Sequence, residues 1–358
     1  MTTFFRPAIA QMTGYTPGEQ PPPGTPVIKL NTNENPYPPS PQALAVLRSL
    51  DSEWLRRYPT PYANEFRQAV SEVLQVPLDW ILVGNGSDEL LSVIVRACCE
   101  PGRRVVYPTP TYVLYPVLAA AQATEVVEIP YPPDLRLPIA DLVAAQGAVT
   151  CIASPNSPTA HAVSLAELRS LAQQLTGILV IDEAYVDFAE ISALELTQEF
   201  ANVIVIRTLS KGYSLAGLRL GFAIAQPALL SGLFKVKDSY NIDAIACQVG
   251  AAAFRDQDYK NDCAAKVKRD RAQLAKDLQH LGFDVWESQT NFLLTQPPAQ
   301  FCRDPHRPAA AALYDYLKSH HLLVRYFNLP GLDDKLRITI GTPDQHQRLL
   351  SLLTAYFA

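Results

Sequence analysis

Between residues 80 and 225 short apolar runs rich in β-branched residues alternate with longer stretches whose apolar positions recur at helical spacing. The runs at 80–83, 104–107, 148–153, 178–181, 203–207 and 221–225 read as strands. Runs this apolar are covered on both faces, so the pattern predicts an α/β layer with a mainly parallel sheet between helices. After about residue 243 the rhythm changes. A long, charge-laced helical stretch at 256–281 precedes strand-like segments at 283–286, 291–295 and 336–340 and helices near 309–320 and 343–356, which describes a smaller α+β unit. At the other end Pro17, Pro21, Pro22, Pro23 and Pro26 make the chain up to Val27 read as an extended arm rather than a packed element. The expected organisation is an arm (1–28), a large domain (29–243) and a small C-terminal domain (244–358).

Composition narrows the class. The 358 residues are 48% hydrophobic and 18% charged, enough apolar surface for a packed core, which excludes a disordered tail, a linker or a fibre. Lys and Arg number 30 against 35 Asp and Glu, a net charge of −5 without long runs of one sign. Neither a nucleic-acid footprint nor a polybasic membrane patch is present. No apolar run reaches the length of a membrane span and the amino terminus lacks an apolar leader core, so a cytoplasmic protein is expected. Six cysteines, Cys98, Cys99, Cys151, Cys247, Cys263 and Cys302, are too sparse for a disulfide framework and read mostly as packing residues. His161, His280, His306, His320, His321 and His346 show no ligand spacing, and no metal is expected.

Three segments carry candidate chemistry. Gly84 to Glu89 (Gly-Asn-Gly-Ser-Asp-Glu) follows a strand and opens an apolar helix, offering backbone N–H groups and a positive dipole end to an anion. It lacks the Walker A ending, and Ser87 or Asp88 could equally be an N-cap. The run Ile178 to Ile181 ends in Asp182-Glu183-Ala184-Tyr185. Such an aspartate suits a magnesium site or a cationic ring nitrogen, and without a Walker A loop the magnesium reading loses its partner; an N-cap is the plain alternative. Lys211, in Thr208-Leu209-Ser210-Lys211-Gly212, lies between two apolar strands, where an amine is desolvated and can form a Schiff base, although a loop lysine is more often a surface charge.

Taken together the three describe a pyridoxal phosphate site: an anion-binding helix start, a carboxylate for the pyridine nitrogen and a lysine for the aldehyde. Arg219 could join Ser210 at the phosphate, and Tyr112 could stack on the ring.

At these residues the chain resembles the aspartate-aminotransferase-like family of pyridoxal phosphate enzymes and, within it, the branch acting on histidinol phosphate. The likeness runs from about Tyr15 to the C-terminus through Gly14-Tyr15-Thr16-Pro17-Gly18, Lys29 to Pro36, Arg57-Tyr58-Pro59, Gly86 to Glu89, Asp182 to Tyr185, Ser210-Lys211 with Arg219, and Leu336-Arg337-Ile338-Thr339. It implies an aspartate-aminotransferase-like large domain, with Lys211 as the cofactor-bearing lysine and proton shuttle, Asp182 paired with the ring nitrogen and Tyr185 bonded to the ring hydroxyl. By the same likeness Gly86, Ser87, Asp88, Ser210 and Arg219 hold the cofactor phosphate and Tyr112 stacks on the ring. Tyr58 would reach the neighbouring subunit's cofactor phosphate, which implies a homodimer. Arg337, Arg325, Tyr15 and Asn33 are the substrate-binding candidates, suited to the phosphate of histidinol phosphate and to a carboxylate of glutamate or 2-oxoglutarate. Arg325 also reads as a surface ion pair, and Asn33 and Glu34 are left unassigned toward the imidazole.

One stretch departs from the family. Relatives carry Asn-Pro-Thr-Gly where this chain reads Ser157-Pro158-Thr159-Ala160, so either Ser157 bonds the ring hydroxyl through a shorter reach or Asn156 shifts to supply it. The implied reaction is transamination between histidinol phosphate and 2-oxoglutarate in histidine biosynthesis. Its rivals are an aromatic amino-acid aminotransferase, a threonine-phosphate decarboxylase, a non-catalytic cofactor-binding sensor and, on the Val-Ile-Asp-Glu run, an ATPase. A sensor of that kind needs a DNA-binding extension, and none is visible.

Overall fold

The computed structural model describes residues 4–22, 24–299 and 307–357; Cys302, His306 and the first three residues lie outside them. In chain order the described strands are β1 (Ile28–Lys29), β2 (Ile81–Gly84), β3 (Arg104–Thr109), β4 (Glu125–Pro130), β5 (Val149–Ala153), β6 (Ile178–Asp182), β7 (Val203–Thr208), β8 (Gly221–Ile224), β9 (Asp284–Val285), β10 (Phe292–Gln296), β11 (Leu322–Leu323), β12 (Arg325–Tyr326) and β13 (Leu336–Thr339). Seven of them form one sheet in the order β2-β8-β7-β6-β5-β3-β4.

That sheet is parallel except at β8, which runs antiparallel to both β2 and β7. The link 209–220 contains only the 3-10 turn Ala216–Leu218, and a parallel return would need a full crossover helix. Edge strand β4 was not anticipated. Glu125, Glu128 and Pro130 break its apolar pattern, as suits an edge.

Side-chain alternation sorts the sheet into two packed faces. Val105, Tyr107, Val180, Ile204 and Ile206 pack with the helices Gly86–Cys98, Leu114–Ala121 and Pro227–Val236. Val106, Ile152, Leu179, Ile181, Val203 and Val205 pack on the other side with the helices Ile139–Ala144 and Leu165–Gln174. A further cluster around Phe66, Phe222 and Phe254 joins β2 and β8 to the helices Asn64–Leu74 and Ala244–Arg255.

The C-terminal half builds a four-stranded antiparallel sheet, β12-β13-β10-β9. Helices Gln257–His280, Ala309–Ser319 and Pro343–Phe357 contribute to its core through Val267, Leu274, Leu313, Leu317, Leu349 and Leu353. Two features differ from the expected boundaries. The helix Ala244–Arg255 buries Val249 and Phe254 in the core of the larger sheet, so the change of lobe falls after it rather than at 243. Strand β1 pairs parallel with β11, and Leu30 packs in the smaller core, so the chain after the arm first docks on the C-terminal lobe. The arm is also not wholly extended, since Pro7–Gln11 forms a short helix with proline in its first turn and no buried residue.

Among the described residues no helix is long and apolar enough to cross a membrane, and no group of three or more His, Cys, Asp or Glu is arranged for a metal ion. Cys99, Cys151, Cys247 and Cys263 are buried free thiols, and Cys98 is half-buried.

Candidate active site

The C-terminal ends of β2, β3, β5, β6 and β7 lie along one rim of the larger sheet, the edge at which ligands bind in open α/β folds. A cavity of about 610 Å³ opens there, closed on the far side by residues of the smaller lobe and of the arm.

At one end of the cavity the helix Gly86–Cys98 presents its N-terminus. Its N-cap Asn85 makes no side-chain bond to the first turn, so those N–H groups remain for an anion. Gly86 has φ of +79°, a conformation that favours a residue without a side chain, and a Cβ on it would stand 2.7 Å from an Arg219 guanidinium nitrogen and displace it. Arg219 donates to Ser210 Oγ at 3.3 Å and lies 3.5 Å from an Asp88 carboxylate oxygen. A helix start, a hydroxyl and a guanidinium from three separate elements thus converge as an anion cradle. Tyr112 flanks it, donating its hydroxyl to Asp88 at 3.0 Å and meeting Tyr15 of the arm edge-on at 6.4 Å.

Asp182, the last residue of β6, is buried. Its carboxylate accepts from Ala184 N–H at 3.0 Å and from the Tyr115 hydroxyl at 3.3 Å. Burial pushes the carboxyl up to about 7, so its anionic form calls for a cation in the cavity. Lys211 faces the same space, with Nζ donating to the Thr32 carbonyl at 3.1 Å and lying 6.0 Å from the Tyr185 ring centre. Burial, helped by the Arg337 charge, lowers its amine to about 8, which makes a neutral nucleophilic form accessible. The Asn35 side chain holds this segment by donating to the Lys211 carbonyl at 3.0 Å.

The Tyr185 hydroxyl accepts from Asn33 Nδ2 at 2.8 Å, while Thr339 fixes Asn33 by donating to its Oδ1 at 3.1 Å. Arg337 crosses from β13, donating to Ser157 Oγ at 3.0 Å and to the Asn31 carbonyl at 2.9 Å. Its guanidinium sits 5.1 Å from the Phe292 ring and 5.5 Å from Phe327, and its buried Nε has no partner, an unpaired donor inside the site. Arg325 lines the same wall over Phe327 at 5.3 Å, and no carboxylate among the described residues pairs with it, so the surface ion-pair reading does not hold.

Of the candidates from sequence, Ser87, Asp88, Tyr112, Ser157, Asp182, Tyr185, Ser210, Lys211, Arg219, Tyr15, Asn33, Arg325 and Arg337 all line this cavity, with Gly86 directly behind Arg219. Asn156 does not. Its amide donates to the Pro110 carbonyl and to Thr159 Oγ1 and accepts from Thr111 Oγ1, so it has no free group to turn toward the cavity, and Ser157 is the residue that faces it. Tyr58 is also outside. It is 83% exposed and stacks on Tyr240 at 4.7 Å. The sequence reading missed Thr32, Tyr115 and Phe327; for Phe327, the Arg325-x-Phe327 alternation was an available signal.

The residues present suit pyridoxal phosphate: an uncapped helix start and Arg219 for its phosphate, a buried anion in need of a cation for its ring nitrogen, and an amine of lowered pKa for its aldehyde. The profile of the family described as aminotransferase class I and II matches residues 25–353. Histidinol-phosphate aminotransferase 1 of Trichormus variabilis is 63% identical over 353 residues, 99% of either chain, and its namesake from a Nostoc species is 62% identical over 99% of this chain and 98% of its own. Among solved structures, histidinol-phosphate aminotransferase of Sinorhizobium meliloti in complex with pyridoxal-5'-phosphate superposes with a TM-score of 0.89 at 26% identity, covering 99% of this chain and 98% of its own. The fold is the aspartate-aminotransferase-like α/β fold that the strand pattern and motifs anticipate, and the chain belongs to the class I and II aminotransferases.

Proposed function

We propose that this chain is a pyridoxal-phosphate-dependent aminotransferase that exchanges the amino group between histidinol phosphate and 2-oxoglutarate, giving imidazole acetol phosphate and glutamate. One observation carries the reading: a single cavity has two anion-binding ends, the helix start with Ser210 and Arg219, and the Arg325–Arg337 wall, with Lys211 and Asp182 lining the space they share. A cofactor phosphate needs one end and a substrate anion needs the other. The relatives' names support the substrate.

Bound pyridoxal phosphate supplies a conjugated ring that accepts the electron pair left when a proton leaves the amino-bearing carbon. Gly86, Ser87, Asp88, Ser210 and Arg219 hold its phosphate, and Tyr112 flanks its ring. Asp182, already bonded by Ala184 and Tyr115, would pair as an anion with the ring nitrogen and favour its protonated form. Tyr185 and Ser157 serve the ring hydroxyl, a task the committed side chain of Asn156 cannot share. Lys211 Nζ would hold the cofactor through its aldehyde. The same amine, lowered to about 8, would be the base that takes the proton from the substrate's amino-bearing carbon. Arg325, Arg337 and Tyr15 bind the phosphate of histidinol phosphate or a glutamate carboxylate, with Asn33 orienting Tyr185.

The same reading places the active unit as a cytoplasmic homodimer in which the exposed Tyr58 completes the neighbouring subunit's cofactor site. The test is the absorption spectrum of the purified protein as histidinol phosphate is added without a keto acid. Loss of the cofactor's visible band, with growth of the aminated cofactor's near-ultraviolet band, is expected at low donor concentration. A visible band that histidinol phosphate leaves unchanged, while phenylalanine or tyrosine discharges it, would overturn the substrate. Carbon dioxide release without the aminated cofactor would overturn transamination.

A further inference from the structure

Behind the cavity wall a chain of hydrogen bonds joins two loops. Thr111, in the loop after β3, donates its hydroxyl to Asn156 Oδ1 at 2.6 Å. Asn156 Nδ2 donates to the Pro110 carbonyl at 2.9 Å and to Thr159 Oγ1 at 2.6 Å. A carbonyl can only accept, so the bond to Pro110 fixes which end of the amide is nitrogen. Thr159 Oγ1 therefore accepts from Asn156, which leaves its own proton free for His161 Nδ1, 2.7 Å away. A ring that accepts there carries its proton on Nε2, which is buried and has no hydrogen-bond partner among the described residues.

The surroundings keep the ring uncharged. His161 meets the Tyr131 ring edge-on at 5.0 Å, and the facing carboxylate, Glu167, is engaged by Ser164 and by the Leu137 N–H. Burial pushes the imidazole down to about 4, so it remains neutral at any working pH. Backbone bonds close the loop around the chain, with Asn156 N–H on the His161 carbonyl at 2.8 Å and Ala160 N–H on the Asn156 carbonyl at 2.9 Å. The arrangement adjoins the site at two points, because Thr111 precedes Tyr112 and Asn156 precedes Ser157, all but Asn156 lining the cavity.

We propose that His161 is a positioning residue for the reaction: through Thr159 and Asn156 it locks the 154–161 loop to Thr111 and so sets where Ser157 and Tyr112 stand relative to one another. The proposal rests on the cofactor reading above. It also gives the departure from Asn-Pro-Thr-Gly a physical consequence. A serine reaches less far than an asparagine, so its contact with the ring hydroxyl depends on how firmly its backbone is held, and the His161 chain supplies that hold.

The test uses the cofactor-loaded protein and follows the pH titration of the cofactor's visible band together with kcat and KM. His161→Ala is expected to move the band's apparent pKa by roughly half a pH unit or more and to lower kcat about 10-fold, with KM changing less. His161→Asn, whose Oδ1 can stand where Nδ1 does and accept from Thr159, is expected to restore both. Thr111→Val cuts the chain at its other end and carries the same test should His161→Ala fail to fold; the two together should cost less than their sum. An unchanged band titration and kcat in His161→Ala, with or without a lower melting temperature, would overturn the proposal. So would equal effects of alanine and asparagine. The band titrates whether or not histidinol phosphate is the substrate, so failure of the parent to turn over would count against the proposed function and leave the spectral comparison to judge the network.

Discussion

Replacing Asp182 by asparagine removes a buried charge without removing its contacts. Ala184 N–H can still donate to the side-chain oxygen, and the Tyr115 hydroxyl, which rotates, can accept from the new amide. In the folded chain the carboxyl titrates at about 7 rather than 3.8, because burial disfavours its anion. A group raised in this way carries stability that is complete below its unfolded pKa and is lost as pH rises through the folded one. Ionisation of Asp182 thus costs the cofactor-free fold about 4 kcal/mol at neutral pH. Denaturant unfolding of cofactor-free Asp182→Asn and parent should therefore diverge with pH. The variant's advantage should grow as pH rises from 5 to 7, to about 4 kcal/mol, and stay level above it. The contribution of Lys211, whose lowered pKa adds stability only as pH rises above about 8, is common to both proteins and cancels. With pyridoxal phosphate bound the order should reverse, since the carboxylate then faces a cation, and turnover of the variant should fall by roughly 100-fold or more. A stability gap that does not change between pH 5 and pH 8, or a variant less stable throughout, would refute the assignment of Asp182 as a desolvated anion awaiting a cationic partner.

Other substitutions probe separate parts of the site. Gly86→Ala forces a side chain into a left-handed position and against Arg219, so cofactor affinity in equilibrium dialysis should drop about 10-fold, while pyridoxal, lacking the phosphate, should be little affected. Arg325→Gln removes a cation with no carboxylate partner among the described residues; steady-state kinetics should show KM for histidinol phosphate rising roughly 10-fold or more, with a smaller change in kcat. Ala160 adopts φ of +66° with its methyl fully buried, so Ala160→Gly sets relief of about 1 kcal/mol of backbone strain against loss of a buried methyl worth about 0.8 kcal/mol, and calorimetry should find stability almost unchanged.

The strands that end at Gly84, Asp182 and Thr208 were legible because a strand buried on both faces is an unbroken apolar run, and the residue that ends such a run is where polar chemistry can begin. For the same reason Gly86, Asp182 and Lys211 stood out locally, each marked by its neighbours in the chain. What the sequence could not determine depends on partners distant along it. The antiparallel entry of β8, the docking of β1 on β11 and the transfer of the helix Ala244–Arg255 to the larger core follow from which surfaces bury the most apolar area together. The choice between Asn156 and Ser157 was of this kind. Both are polar, adjacent and able to bond a hydroxyl, and only the positions of Pro110, Thr111 and Thr159 commit the asparagine elsewhere. Hydrogen-bond capacity is written in the sequence, but whether a donor remains free is decided by what folding brings within reach.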